Sequence, residues 1–177
     1  MKTFIFIISF ILIISFQVSF LSHFVLHRAI PNLVLVVLVS WSILQSYNQA
    51  YLLALLGGVV LDLYSGTLFG LHALSLVCLV MVTYLITQHF LNKDDILSRI
   101  LIIILATLGY QFIFLGFISL AKILHLTDDG IFLSEQFLSF LFWQILVNLV
   151  VLFIIFPMVK AIHNFLAGYE KRAKTKV

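Results

Sequence analysis

From Phe4 to Leu21 the sequence is apolar on every face, and the same texture returns in later stretches separated by short polar clusters. A helix needs about 20 mostly apolar residues to cross a bilayer, because lipid offers its amides and carbonyls no hydrogen bonds. The pattern predicts an all-α, polytopic membrane helical bundle with about six transmembrane helices. The approximate spans are 4–22, 31–45, 49–64, 71–89, 100–121 and 137–158, followed by a basic cytoplasmic tail at 160–177, within a single transmembrane domain over 1–177. A β-barrel would need short segments of alternating polarity. The unbroken apolar runs at 4–21 and 100–121 do not provide them.

The polar interruptions refine these boundaries. Ser22-His23-Phe24 supplies no small-residue cleavage pattern after the first run, which predicts a retained span rather than a removed leader. Pro31 suits the first turn of a second helix. Between Ala29 and Leu61 there are 33 residues without Asp, Glu, Lys or Arg, with Gln45-Ser46-Tyr47-Asn48-Gln49 as a turn in the middle. Two complete spans would use roughly 40 residues, so this pair is short unless its second helix continues past Asp62. The length count therefore draws Asp62 toward the membrane. Ser65-Gly66-Thr67-Leu68-Phe69-Gly70 marks a break between helices, and Lys93, Asp94, Asp95 and Arg99 mark the next connection. Lys122 to Gln136, carrying Asp128, Asp129, Gly130 and Glu135, is the longest connection and has room for a short re-entrant or surface helix. Pro157 is expected to bend or end the last span.

Composition supports the membrane reading: 63% of residues are hydrophobic, 10% are charged and mean hydropathy is +1.22. A soluble domain would be about 45–50% apolar and about a quarter charged. The net charge of +3 comes largely from Lys171, Arg172, Lys174 and Lys176. Beside a membrane span such a cluster holds the cytoplasmic end against anionic lipid, and the chain has no further basic surface for nucleic acid to follow. Placing both termini inside gathers Lys2, Lys93, Arg99, Lys160 and the four tail cations on the inner side, leaving only Arg28 and Lys122 outside. The positive-inside rule favours that orientation, with the Asp62 turn and the acidic Lys122–Gln136 connection outside. The single cysteine, Cys78, excludes an internal disulfide and lies in an apolar run.

Ala50, Ala54, Gly58 and Asp62 recur every four residues, so three small residues and one carboxylate share a helix face, with Gly57 beside them. Small residues let helices approach closely in lipid, which makes this a helix-packing or partner face. Asp62 must be solvated, paired or protonated at such a position. It could accept hydrogen bonds from the Ser65–Thr67 turn or from amides opening the following helix, form a clasp to Arg28 or Lys122, or bind a proton or substrate. Gln111, Gln144 and Asn148 are expected to make polar contacts between helices, while Gly109 and Gly116 leave space on the fifth span. His23 and His27 lack a third ligand, and His72 could bond to Asp62 or to backbone. The Asp94-Asp95 and Asp128-Asp129 pairs read as solvated loop acids. No phosphate loop, dinucleotide fingerprint or nucleophile elbow occurs, so no catalytic residue, metal or cofactor is assigned.

The run Gly57-Gly58-Val59-Val60-Leu61-Asp62-Leu63-Tyr64-Ser65-Gly66-Thr67-Leu68-Phe69-Gly70-Leu71-His72-Ala73-Leu74 resembles the MreD family of bacterial rod-shape-determining membrane proteins. That family shows a Gly-rich helix end, an Asp, a Ser-Gly turn and then Phe-Gly-hydrophobic-His-Ala. Pro31-Asn32-Leu33 is similar to its Pro-Asp/Asn-hydrophobic lead-in to a span. The resemblance implies a non-enzymatic inner-membrane component of the cell elongation machinery. It would bind MreC and help couple MreB filaments to the peptidoglycan polymerase RodA and its transpeptidase partner. It further implies that Asp62, Ser65, Gly66, Phe69, Gly70 and His72 form a motif and structural clasp. It also implies a fold similar to the substrate-binding component of energy-coupling-factor transporters. The alternative is therefore a membrane module binding a vitamin-like ligand, which would need a recess of convergent polar or aromatic residues near the outer face. The Asp62-to-His72 motif favours the shape-determining reading.

Overall fold

The computed structural model describes residues 14, 15, 17, 19, 29–44, 47–89, 95–127 and 135–174, with backbone only for Tyr47, Asn48, His89, Glu135, Gln136 and 165–174. The first expected span at 4–22, the residues His23, His27 and Arg28, and the acids Asp94, Asp128 and Asp129 lie wholly or mostly outside the described residues. Five helices follow in order: α1 Leu33–Leu44, α2 Tyr47–Ser65, α3 Leu71–His89, α4 Ile96–Ile123 and α5 Glu135–Lys174.

At the centre stands α1, whose residues Leu33 through Ile43 are all buried. A helix that is apolar all round can be buried on every side, and α1 touches α2, α3, α4 and α5. Its 12 residues rise about 18 Å, well short of the roughly 30 Å hydrocarbon core. It is the shortest of the five described helices. It runs alongside α5, since Asn32 meets Asn148 near its start and Trp41 meets the His163 ring edge-on at 6.5 Å near its end.

The most extensive helix pairing joins α2 to α3 across the Ser65–Gly70 turn. Its tightest point is Gly58: a Cβ there would lie 2.2 Å from the Ala73 Cα and 2.6 Å from the Ala73 nitrogen. Ala54 and Ala50 are fully buried one and two turns earlier on α2. The small-residue face is thus occupied by the chain's own packing at Gly58, where α3 backbone fills the space a side chain would take. On α4, Gly109 faces the Leu79 side chain at 3.6 Å from where its Cβ would stand, whereas Gly116 faces open space.

The architecture is an all-α bundle in which, among the described residues, three stretches are long and apolar enough to cross a membrane: Leu71–Gln88, Ile96–Ile123 and Phe137–Asn164. The apolar helices Leu33–Leu44 and Gln49–Ser65 are shorter. Helix α5 does not end at Pro157 but continues to Lys174. Proline removes one amide and one hydrogen bond. Abandoning the remaining ladder in an apolar environment would cost far more. Helix α4 starts at Ile96, where extended Asp95 (φ −86°, ψ 131°) precedes the first turn.

Opposite responses are expected at two glycines. Gly58→Ala forces α2 and α3 apart and should destabilise the protein by about 1–3 kcal/mol, with Gly58→Leu worse. Gly116→Ala, in open helical space, should be neutral or stabilising by up to about 1 kcal/mol. Thermal unfolding in detergent checks both; a Gly58→Ala midpoint at or above wild type would contradict the α2–α3 packing described.

Candidate functional site

The α2–α3 turn brings Asp62 against the start of α3. Ser65 donates its hydroxyl to the Asp62 carbonyl at 3.3 Å and shares a 2.8 Å hydrogen bond with the Thr67 hydroxyl, while the Thr67 amide donates to Ser65 Oγ at 3.4 Å. Gly66 and Gly70 reverse the chain with φ of +66° and +98°, values that L side chains adopt only under strain. With the turn fixed, the Asp62 carboxylate lies beneath the first turn of α3. Its Oδ1 accepts the His72 amide at 2.8 Å and its Oδ2 accepts the Ala73 amide at 3.2 Å. A carboxylate here meets two of the amides that a helix start leaves unsatisfied, as well as the positive end of the helix dipole. Those contacts explain how Asp62 is tolerated at only 4% exposure.

The His72 side chain turns the other way, toward α4. Its Nδ1 shares a 2.6 Å hydrogen bond with the Tyr110 hydroxyl, and its ring stacks on Phe114 with centroids 4.8 Å apart. Tyr110 sits at the middle of the 28-residue α4, about 20 Å from either end. The Asp62–His72 node is therefore deep along α4 rather than at its tip. Lys122, exposed twelve positions beyond Tyr110, lies roughly 18 Å farther along the helix. The carboxylate is thus engaged by α3 amides and is remote from Lys122.

A second polar node occupies nearly the same level. Asn148 of α5 accepts the Asn32 amide at 3.0 Å through Oδ1 and donates through Nδ2 to the Thr107 hydroxyl at 3.1 Å. Thr107 in turn donates to the Ile103 carbonyl at 2.8 Å. Two further amides opening α1 are met by side chains: Val34 donates to Gln17 Oε1 at 2.9 Å and Leu35 to Asn32 Oδ1 at 3.0 Å. Gln144 donates to the Ile30 carbonyl at 2.8 Å. Thr107 precedes Tyr110 by three residues, so the two nodes stand about 4.5 Å apart along α4.

The sequence-derived positions separate accordingly. Asp62, Ser65, Gly66, Gly70 and His72 lie together in the turn and its bonds, whereas the Phe69 side chain points outward at 67% exposure. Gln144 and Asn148 join the second node. Gln111 is half-buried and makes no hydrogen bond among the described residues. Sequence reading did not single out Tyr110, Phe114, Thr107, Asn32 as a cap, or Gln17. Asn32 directly after Pro31 was the available signal, since Asn favours the cap position; nothing local marked the others. Among the described residues no group of three His, Cys, Asp or Glu could hold a metal ion.

A family model described as rod shape-determining protein MreD matches residues 1–166. No curated protein and no solved structure matches the chain.

The Asp62 node makes a graded prediction. Asp62→Ala strands two amides and should lower stability by about 1–3 kcal/mol, while Asp62→Asn keeps one acceptor and should fall between it and wild type. Thermal midpoints in detergent check the order; three equal values would show that neither bond matters. Asn148→Leu leaves the Asn32 amide without its acceptor and removes the bond that the Thr107 hydroxyl accepts, and should cost about 1–3 kcal/mol. Hydrogen exchange should localise its effect to the start of α1, and protection there at the wild-type level would contradict the assignment.

Proposed function

Because the chain belongs to the MreD family of rod shape-determining proteins, we propose that it works by assembly: it binds MreC and through it helps couple MreB filaments to RodA and its transpeptidase partner. It is a non-enzymatic, multi-pass inner-membrane component of the cell elongation machinery. The observation that carries the proposal is a family match extending over residues 1–166, which includes both polar nodes.

The structure supports a role in organisation through what it uses its polar groups for. Asp62, His72, Asn148 and Gln144 make their bonds to helix starts, to a loop carbonyl and to neighbouring helices. We infer a scaffold whose buried polar residues fix helix positions and so present a defined outer surface. In this reading six segments cross the membrane, the amino-terminal run 4–22 being the first. Arg99 and Lys160 lie on the cytoplasmic side and Lys122 on the outer side, as the charge distribution favours. The likeness to the substrate-binding component of energy-coupling-factor transporters rests on the family resemblance alone.

Partner contact is assigned to the acidic outer connection rather than to Gly58, because α3 already occupies the Gly58 face. Co-purification in mild detergent should capture MreC with the wild-type protein. Asp128→Asn, Asp129→Asn and Glu135→Gln together should reduce capture severalfold while leaving the thermal midpoint unchanged. Absence of MreC from the wild-type preparation, combined with retention of a small vitamin-like molecule, would reverse the choice between the two readings. Undiminished capture by the triple variant would remove the acidic connection as the contact surface.

A further inference from the structure

At the end of the bundle opposite Lys122, α4 and α5 diverge around a cleft of about 310 Å³ lined by Ile96, Arg99, Ile100, Phe153, Phe156 and Lys160, with Leu152 and Pro157 completing it. Its size falls at the lower end of the range for small-molecule sites, about 300–1,000 Å³. Two features distinguish it from an ordinary gap between helices. The walls are almost wholly apolar, yet the two charged residues among the lining are both cations. Further, the Arg99 guanidinium lies over the Phe156 ring, 4.4 Å from its centroid. That stacking holds a planar donor group at the wall, so less rotamer freedom is lost when a ligand is captured.

The sequence explains why a recess forms here. Pro157 has no amide to donate to the Phe153 carbonyl one turn earlier, and both residues line the cleft. Exposed Lys160 follows three positions later, which brings its flexible ammonium to the same side of α5. Across the cleft, Ile96 and Ile100 flank Arg99 on the first turns of α4.

We propose that this cleft binds an anionic phospholipid, with the phosphate between Arg99 and Lys160 and an acyl chain along Ile100, Phe153 and Phe156. Both cations lie near the same end of the membrane-length apolar stretches of α4 and α5, the end that the positive-inside rule places toward the cytoplasm. Only a lipid brings an anion and a hydrocarbon chain there together. A guanidinium matches a phosphate through paired N–H donors, and basic pockets between membrane helices on the cytoplasmic side suit acidic headgroups. The phospholipid would fill the seam between α4 and α5 at one end, while the Asn148–Thr107 bond joins the same helices near their middle.

Native mass spectrometry of the full-length protein, in neutral detergent with equal amounts of phosphatidylglycerol and phosphatidylcholine, tests the site. Wild type should retain phosphatidylglycerol preferentially. Lys160→Gln, at an exposed position, should reduce that retention about fivefold, and Arg99→Gln with Lys160→Gln about tenfold or more, leaving phosphatidylcholine unchanged. Arg99→Lys with Lys160→Arg keeps both charges and should retain the lipid better than the neutral pair. Replacing Lys171, Arg172, Lys174 and Lys176 by Gln should leave retention largely intact. Equal retention of the two lipids by wild type, no loss in Lys160→Gln, or a greater loss in the tail variant than in the cleft variants would each overturn the proposal.

Discussion

A helix that begins inside a membrane protein exposes amides that lipid cannot satisfy, and the rest of this structure is arranged around that constraint. Two helices begin deep in the bundle. For α3 the acceptor is the Asp62 carboxylate, delivered by the helix before it. For α1 the acceptors are Gln17, Asn32 and Asn148, drawn from widely separated parts of the chain. Since both starts lie near the middle of α4, the residues that satisfy them form a polar layer across the bundle. Each start is fixed in position because moving it would separate a donor from its acceptor.

Close packing follows from this arrangement. The Asp62 bonds hold the end of α2 against the beginning of α3, and one turn back along α2 the absent side chain of Gly58 admits the Ala73 backbone. The same short segment therefore needs a carboxylate, a turn that tolerates positive φ and a glycine within a few residues. Its hydrogen bonds and its steric fit reinforce one another. His72 extends the arrangement to a third helix, with its amide on Asp62 and its ring on Tyr110 and Phe114. A residue held by both its backbone and its ring can set the distance between α2–α3 and α4. For a non-enzymatic component of the elongation machinery, such rigidity keeps the outer surface of the bundle constant.

Much of this was legible in the chain itself. Long charge-free apolar runs specify membrane helices because burying their backbone in lipid leaves few alternatives. The Gly57–Leu74 motif identifies the family because its residues are adjacent in sequence, and the match over residues 1–166 agrees. The ten-residue separation of Asp62 and His72 is short enough for a single turn to join them. By contrast, Tyr110 lies 38 positions from His72, and Asn148 lies 116 from Asn32. No local pattern ties such residues together, because any polar group in a membrane helix seeks a partner without announcing which one.

What the sequence by itself determined was therefore the environment and the local chemistry: apolar helices, a glycine-bounded turn, and an aspartate that had to find hydrogen bonds. Only the tertiary structure decided which groups satisfied one another. It placed the 12-residue α1 at the centre, set Asp62 beside the middle of α4 and filled the Gly58 face with α3. It also brought Arg99 of α4 and Lys160 of α5 to one cleft. Hydropathy follows from covalent composition, whereas the pairing of donors, acceptors and charges depends on the relative depth of helices, which exists only once they have packed.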